Sequence, residues 1–369
     1  RDLDSSLVGS EMCIRDRKCG SRGAFLPPSQ HHDRFLKIAA VICPNGLGHF
    51  KRSVWVLSCL KRMTSCEIAV FCESWQVEAA GRPGGNAFWD DSVRPVVGLM
   101  EPGVHWKEGE PPTDLTSWES RLAGAESLRE ADVVLSDNLP GVLEIRPDAI
   151  LMGSFLWSEV FEDAWGRGGA VGTFVERERS LLARHRPPML CVGAMATPGV
   201  RTSTRIVPLP WFCERPPGTQ DVANREKVVV CGGLTGAMGP VLQEVVRGLA
   251  GRCMAGLAAS AALRGAAEEG GAVESFGFSD REFSKAGMLI CRPGMGTLTD
   301  AVRFGIPLVA VFEGGNLEMR HNAGRVEDLG LGIALNAEMA SEEMCDRIQG
   351  FQGSERYWHS RRNLLKLPT

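Results

Sequence analysis

Apolar runs of strand length recur along the chain. Each is followed by a glycine- or proline-bearing turn and then by a segment whose apolar positions fall at helical spacing. Leu36 to Cys43 (LKIAAVIC) is the first run, and Pro44-Asn45-Gly46-Leu47-Gly48-His49 is its turn. FKRSVWVLSCLKRM then sets Val54, Leu57 and Leu60 on one face of a helix. The next strand is expected over Glu67 to Cys72. Further strands are expected at Val133 to Ser136, Ala149 to Phe155 and Met189 to Val192, with a helix near Phe174 to His185. Gln76 to Thr116 is rich in Gly, Pro and Trp and lacks a period, which predicts loops and short helices. Pro208, Pro210, Pro216 and Pro217 mark a linker. Beyond it Lys227 to Cys231 (KVVVC) restarts the pattern, with Gly232 to Gly236 as its loop and Met238 to Leu249 as its helix. Strands alternating with helices predict parallel sheets, and both halves open with strand, glycine loop and helix.

The densest patterning lies between Met288 and Gly332. Met288 to Cys291 reads as a buried strand, Arg292-Pro293-Gly294-Met295-Gly296 as a turn, and Thr297 to Phe304 as a helix ended by Gly305-Ile306-Pro307. Pro307 to Phe312 is a second strand, Glu313 to Asn316 a loop, and Leu317 to Leu329 a second helix. Glycines let a ligand approach the backbone, and a helix start offers free N–H groups to an anion. Two such units in tandem describe the ligand edge of a parallel sheet.

Composition narrows the picture. A chain of 369 residues suits two domains, and its 44% hydrophobic and 23% charged content is that of a soluble globular protein. The net charge of −4 argues against a general nucleic-acid binder. The apolar stretch near Met254 to Ala267 is short and broken by Arg264, so no membrane-spanning helix is expected. Twelve cysteines without C-x-x-C or zinc spacing read as reduced thiols of a cytoplasmic protein. The first 17 residues, with SLVGSEMCIRDR, resemble translated sequencing-adapter sequence, so Asp2-Leu3-Asp4 is not read as a metal-binding D-x-D. The expected layout is an artefactual or disordered segment over 1–33, a first Rossmann-like domain over 34–207 and a linker over 208–225. A second Rossmann-like domain follows over 226–352, with a helix over 353–369 that returns to the first.

Arg292-Pro293-Gly294, Gly296-Thr297, Asp300, Gly305-x-Pro307, Glu318 and Asn322-Ala323 stand at the spacing of a known family. The stretch resembles the nucleotide-sugar-binding region of GT-B glycosyltransferases. The peptidoglycan N-acetylglucosaminyltransferases and the UDP-glycosyltransferases (family 28 C-terminal-like) carry this run. The resemblance implies an α/β GT-B fold: two facing Rossmann-like domains with parallel sheets and an interdomain cleft. It implies an inverting hexosyltransferase that takes a UDP-sugar and a hydroxyl acceptor and needs no metal or cofactor. Contact with the inner face of a membrane is expected if the acceptor is a lipid.

Residue by residue, donor-binding candidates are Gly232, Gly233, Thr235 and Gly236 in one loop and Arg292, Gly294, Gly296 and Thr297 in the other. Tight turns without a ligand are the alternative. Asp300 stands where the family has a ribose-gripping glutamate, one methylene longer; otherwise it stabilises the first helical turn. Phe278 and Ser279 stand where the family contacts the base, although the phenylalanines also read as core. Glu318 matches the position that binds donor-sugar hydroxyls, and also reads as a solvated helix residue, while Asn322, four residues on, is a further donor-binding candidate. Asn45, Gly46, Gly48 and His49 form the acceptor-side loop. His49 is the candidate base, or an acceptor ligand, with Asp137 as its carboxylate partner. His321 reads as a helix-surface residue. A nucleotide-sugar hydrolase or epimerase, or a non-catalytic nucleotide-sugar-binding subunit, would use the same pocket.

Overall fold

The computed structural model describes residues 35–79, 90–100, 111, 115–216, 219, 225–232, 238–252, 254–265 and 273–369. Their strands form two sheets. The first holds β1 (Leu36–Ile42), β2 (Cys66–Phe71), β3 (Val93–Val96), β4 (Val133–Asp137), β5 (Ile150–Met152), β6 (Pro188–Cys191) and β7 (Arg205–Pro208), in the order β3-β2-β1-β4-β5-β6-β7. The second holds β8 (Lys227–Cys231), β9 (Leu257–Ser260), β10 (Glu274–Phe276), β11 (Ala286–Cys291), β12 (Leu308–Phe312) and β13 (Gly332–Asn336), in the order β10-β9-β8-β11-β12-β13. Every pairing is parallel. In each sheet the strand order reverses beside the first strand, between β1 and β4 and between β8 and β11. Parallel doubly wound sheets receive ligands at that point, beyond the carboxyl ends of the strands.

Burial follows from this layering. Helices cover both faces of a parallel sheet, so its central strands are apolar throughout. All six residues of β11 are buried, as are the last five of β1. The edge strands differ. β3 and β7 contain Pro95 and Pro208, which lack the N–H of an inner strand and are tolerated at an edge. That chemistry hid β3 inside a stretch expected to be loops, and β7 at the start of the proline-marked linker. β5 is shorter than the expected run because Gly153, at φ 152°, turns the chain out of the sheet. The nine described cysteines carry free thiols, so neither core depends on a disulfide.

The helix Glu355–Lys366 packs on the second half. Tyr357 donates to the Gly287 carbonyl at 2.8 Å, and Asn363 donates to the Gly330 carbonyl at 3.2 Å. The chain after it reaches the connection between the halves, where the Trp211 N–H donates to the Pro368 carbonyl at 3.1 Å. The expected return to the first domain therefore reaches this connection, while the helix itself stays on the second sheet. No described helix is long and apolar enough to cross a membrane.

Two glycines give opposite expectations. A Cβ on Gly332, at the start of β13, would lie 1.9 Å from the Leu308 carbonyl oxygen of β12, so the strands must part to admit it. Gly324 sits exposed inside the helix Leu317–Asp328 with open space where a Cβ would go. Gly324→Ala should gain about 0.5–1 kcal/mol from helix propensity. Gly332→Ala should lose more than that or fail to fold. Denaturation midpoints of the two variants check both signs.

Candidate active site

The carboxyl end of β1 leads through Pro44 and Asn45 to Gly46, whose φ of 108° and ψ of 159° only glycine adopts without strain. That turn starts the helix Leu47–Met63, with His49 in its first turn and Arg52 three residues on, on the same face. β4, the neighbour across the switch point, ends on Asp137. His49 Nδ1 lies 2.5 Å from Asp137 Oδ1. Arg52 grips the same carboxylate through Nε to Oδ2 at 2.5 Å and Nη2 to Oδ1 at 2.6 Å. Ser53 Oγ donates to Oδ2 at 3.2 Å, and Asn138 Oδ1 accepts from Arg52. All five side chains are buried.

Proton placement follows from the contacts. Arg52 Nη2 is 2.9 Å from His49 Nδ1 and can only donate. A carboxylate oxygen 2.5 Å from Nδ1 requires a proton on that nitrogen, which then cannot accept from Arg52. The imidazole therefore carries its proton on Nδ1, given to Asp137, and keeps a basic lone pair on Nε2. Burial alone would push the Asp137 carboxyl up, but Arg52 and then His49 outweigh it and hold it below the usual carboxylate range. Burial pushes the His49 pKa below its ordinary value. Asp137 opposes that shift and the Arg52 charge adds to it.

The second switch point lies opposite. β11 leads through Arg292 and Pro293 to the helix Met295–Phe304, whose N-cap is Gly294 and which no side chain caps. Its first N–H groups, of Met295, Gly296 and Thr297, lack intrahelical acceptors and concentrate the positive end of the helix dipole. The two helix starts touch. A Cβ on Gly296 would lie 3.2 Å from Gly48 Cα, and one on Gly48 would lie 3.5 Å from the Gly296 nitrogen. From that contact a cavity of about 540 Å³ runs between the two helices, along Lys51, Arg52 and Trp55 on one wall and Thr299, Asp300 and Arg303 on the other. The connection between the halves closes its far end at Phe212 and Glu214.

The sequence-predicted residues divide into groups. Gly48, Gly296 and Asp300 meet at the cavity. Asp300 occupies the second helical turn, not the first, and burial raises its carboxyl pKa against the opposing charge of Lys51. Arg292 is committed to Glu313, with Nε donating to Oε1 at 2.9 Å. Asn322 is buried behind the loop and donates to the Pro293 carbonyl at 2.9 Å, so it braces the turn from beneath. Ser279 caps the short helix Asp280–Phe283, and its N–H donates to Glu282 Oε2 at 3.1 Å. Phe276 is core, whereas Phe278 is exposed on a left-handed backbone at φ 62°. Asp280, two residues on, accepts both Arg303 Nη atoms at 2.7 Å, which ties that loop to the cavity wall. Asn45 is half-buried, and no bond reaches its amide nitrogen among the described residues. Gly232 directly follows β8, while Gly233, Thr235 and Gly236 lie outside the described residues.

His321 differs from expectation, and Glu318 departs from its solvated alternative. His321 is not a plain surface residue, because its Nε2 lies 3.1 Å from the Met195 carbonyl of the first half. Glu318 is half-buried, and desolvation pushes its carboxyl up to about 7 despite Arg292 and Arg52 nearby. The arginine at the centre of the site, Arg52, was not singled out in the sequence. Its signal was the His49-x-x-Arg52 spacing, which puts both on one helix face.

A carboxyl whose pKa is raised in the folded state favours folding fully below its unfolded pKa and loses that contribution as pH rises through the folded value. Glu318 therefore weakens the native state as pH climbs from about 4.5 through about 7. Glu318→Gln should have a thermal midpoint that gains on the parent over this window, with the difference closing at the acid end. A difference independent of pH would mean a solvated Glu318.

Comparison with known proteins agrees with this architecture. Residues 260–350 match the glycosyltransferase family 28 C-terminal domain. The chain is similar to the solved structure of LpCGTa in complex with UDP, at 14% identity and a TM-score of 0.60, over 89% of this chain and 93% of that one. It is similar to Medicago truncatula UGT71G1 complexed with UDP-glucose, at 13% identity and a TM-score of 0.62, over 90% and 94%. It is also similar to CalG4, the calicheamicin glycosyltransferase, at 16% identity and a TM-score of 0.55, over 89% and 94%. No curated protein sequence matches. Residues 260–350 are thus similar to a glycosyltransferase family 28 C-terminal domain, and the two parallel sheets make the GT-B glycosyltransferase fold.

Proposed function

We propose that the protein moves a sugar from a nucleotide-diphosphate donor, UDP-linked, to an acceptor hydroxyl, by one displacement that inverts the anomeric carbon. The observation that carries this reading is the buried His49–Asp137 pair, set at one switch point beside an uncapped helix start at the other. In this mechanism His49 Nε2 takes the acceptor hydroxyl's proton as that oxygen attacks the anomeric carbon. The bond from that carbon to the diphosphate oxygen breaks, and the nucleoside diphosphate leaves with the electron pair. Asp137 holds the tautomer and faces the imidazolium that forms. The helix start at Gly294 to Thr297 meets the leaving diphosphate, Asp300 the ribose hydroxyls, and Glu318 the donor sugar. The helix N–H groups supply the positive field at the diphosphate, so this reading calls on no metal. UDP and UDP-glucose in two of the similar structures support the choice of donor class.

Incubation with UDP-sugars and hydroxyl acceptors, followed by mass spectrometry and anomeric NMR, tests the reaction. A glycoside of inverted configuration is expected. Free sugar alone would make the protein a hydrolase, and an isomerised donor would make it an epimerase.

Gly294→Val probes the helix start without touching the fold, because a Cβ there meets nothing within 4 Å and the φ of −71° suits any residue. Its bulk should abolish UDP binding in calorimetry while the melting midpoint holds. Unchanged affinity would move the diphosphate elsewhere.

His49→Ala should lower kcat by about 10²–10⁴-fold with donor affinity nearly constant. The native acid limb of kcat should lie below the ordinary histidine pKa of about 6.5, given the downward shift. His49→Asn retains hydrogen bonding and cannot take a proton. Near-normal kcat with a raised acceptor KM in that variant would make His49 an acceptor ligand instead.

A further inference from the structure

A nucleotide diphosphate brings at least two negative charges into the cleft, so the cations that face it decide where it is held. Arg52 is bidentate on Asp137, Arg292 is paired with Glu313, and Arg303 is bidentate on Asp280. Arg62 pairs with Glu214 at 3.1 Å, and it stands fourteen residues, roughly 21 Å, along its helix from Gly48. Lys51 has no such partner among the described residues. It is exposed on the first-half wall of the cavity, one turn from the Gly48–Gly296 contact. Its charge also reaches Asp300 on the opposite wall. The ammonium group therefore stands beside the course from the helix start to Asp300 that a donor would occupy.

We infer that Lys51 is a ligand of the donor's diphosphate, reaching it from the first half across the cleft. The inference rests on the donor site proposed above and assigns it a residue from outside the family 28 domain. Arg52 and Arg292 stay on their carboxylates, because removing either would leave a buried or half-buried acid unpaired, whereas Arg303 and Arg62 pair with exposed acids and are held less firmly. An ammonium on a four-carbon stem can swing to a phosphate and exchange water for a charge-assisted bond. The helix N–H groups then hold the diphosphate from the second half and Lys51 from the first, so the bound donor bridges both walls.

The test measures binding of UDP and of uridine to the intact protein by calorimetry, at two salt concentrations. Lys51→Ala and Lys51→Gln should weaken UDP roughly tenfold or more. They should leave uridine unchanged and flatten the salt dependence of UDP binding, while Lys51→Arg restores most of the affinity. Lys51 is exposed, so melting midpoints should match the parent. UDP affinity within twofold of the parent in both neutral variants would overturn the inference and leave the donor site standing. Equal loss for UDP and uridine would overturn it too, because Lys51 would then serve the nucleoside or the fold. A parent protein that binds none of UDP, dTDP, GDP and ADP would overturn both the inference and the proposed donor site.

Discussion

Gly48 and Gly296 approach so closely that a side chain on Gly296 would press on backbone of the other half. This contact brings two helix starts, each at the switch point of its own sheet, against one another. Everything chemical in the cleft is measured from it. His49 follows Gly48 directly, and Gly296 lies within the uncapped first turn that offers N–H groups to an anion. The His49–Asp137 pair of one half and the uncapped helix start of the other are thereby held side by side.

Charge is organised around that contact in a graded way. Asp137 is fully buried, and two charge-assisted bonds from Arg52 keep it ionised. Its own bond to His49 fixes the tautomer, while the nearby guanidinium disfavours a second proton on the ring. Asp300 on the cavity wall and Glu318 near Arg52 and Arg292 lose solvent without a tight partner among the described residues, and both carboxyls are raised. Groups left in that state are poised to gain from a polar ligand's hydroxyls, which would supply the hydrogen bonds the protein withholds.

The chain also ties its halves together away from the chemistry. Arg320 pairs with Asp163 at 2.8 Å, and Arg325 donates to the Ala194 carbonyl at 2.8 Å. Together with His321 they line one helix with contacts to the first half. Arg320, His321 and Arg325 are polar residues of one helix, which in isolation is the signature of a solvated face. Their partners lie more than a hundred positions away, so no local pattern reports them.

Period and punctuation marked β1, β2, β4, β6, β8, β11 and β12, because central strands of a parallel sheet must be apolar and their turns need glycine, while β9, β10 and β13 were not singled out. β8 and β11 to β12 stood out for that reason, as did the glycine turns that carry His49 and Gly296. The short, proline-bearing edge strands lacked that signal, since an edge tolerates what an inner strand forbids. The pairing of His49 with Asp137 could be suggested from their places at two strand ends. Arg52's part in it could not, because a buried cation is recognised by the carboxylate it meets and not by its neighbours in the chain. Likewise, Asn322 behind its loop, Arg292 on Glu313 and the exposed Phe278 were decided by three-dimensional packing. Sequence spacing sets which residues share a helix face or a strand end. Which of those groups meets a charge, a carbonyl or open space depends on contacts between distant segments, and only the folded chain makes them.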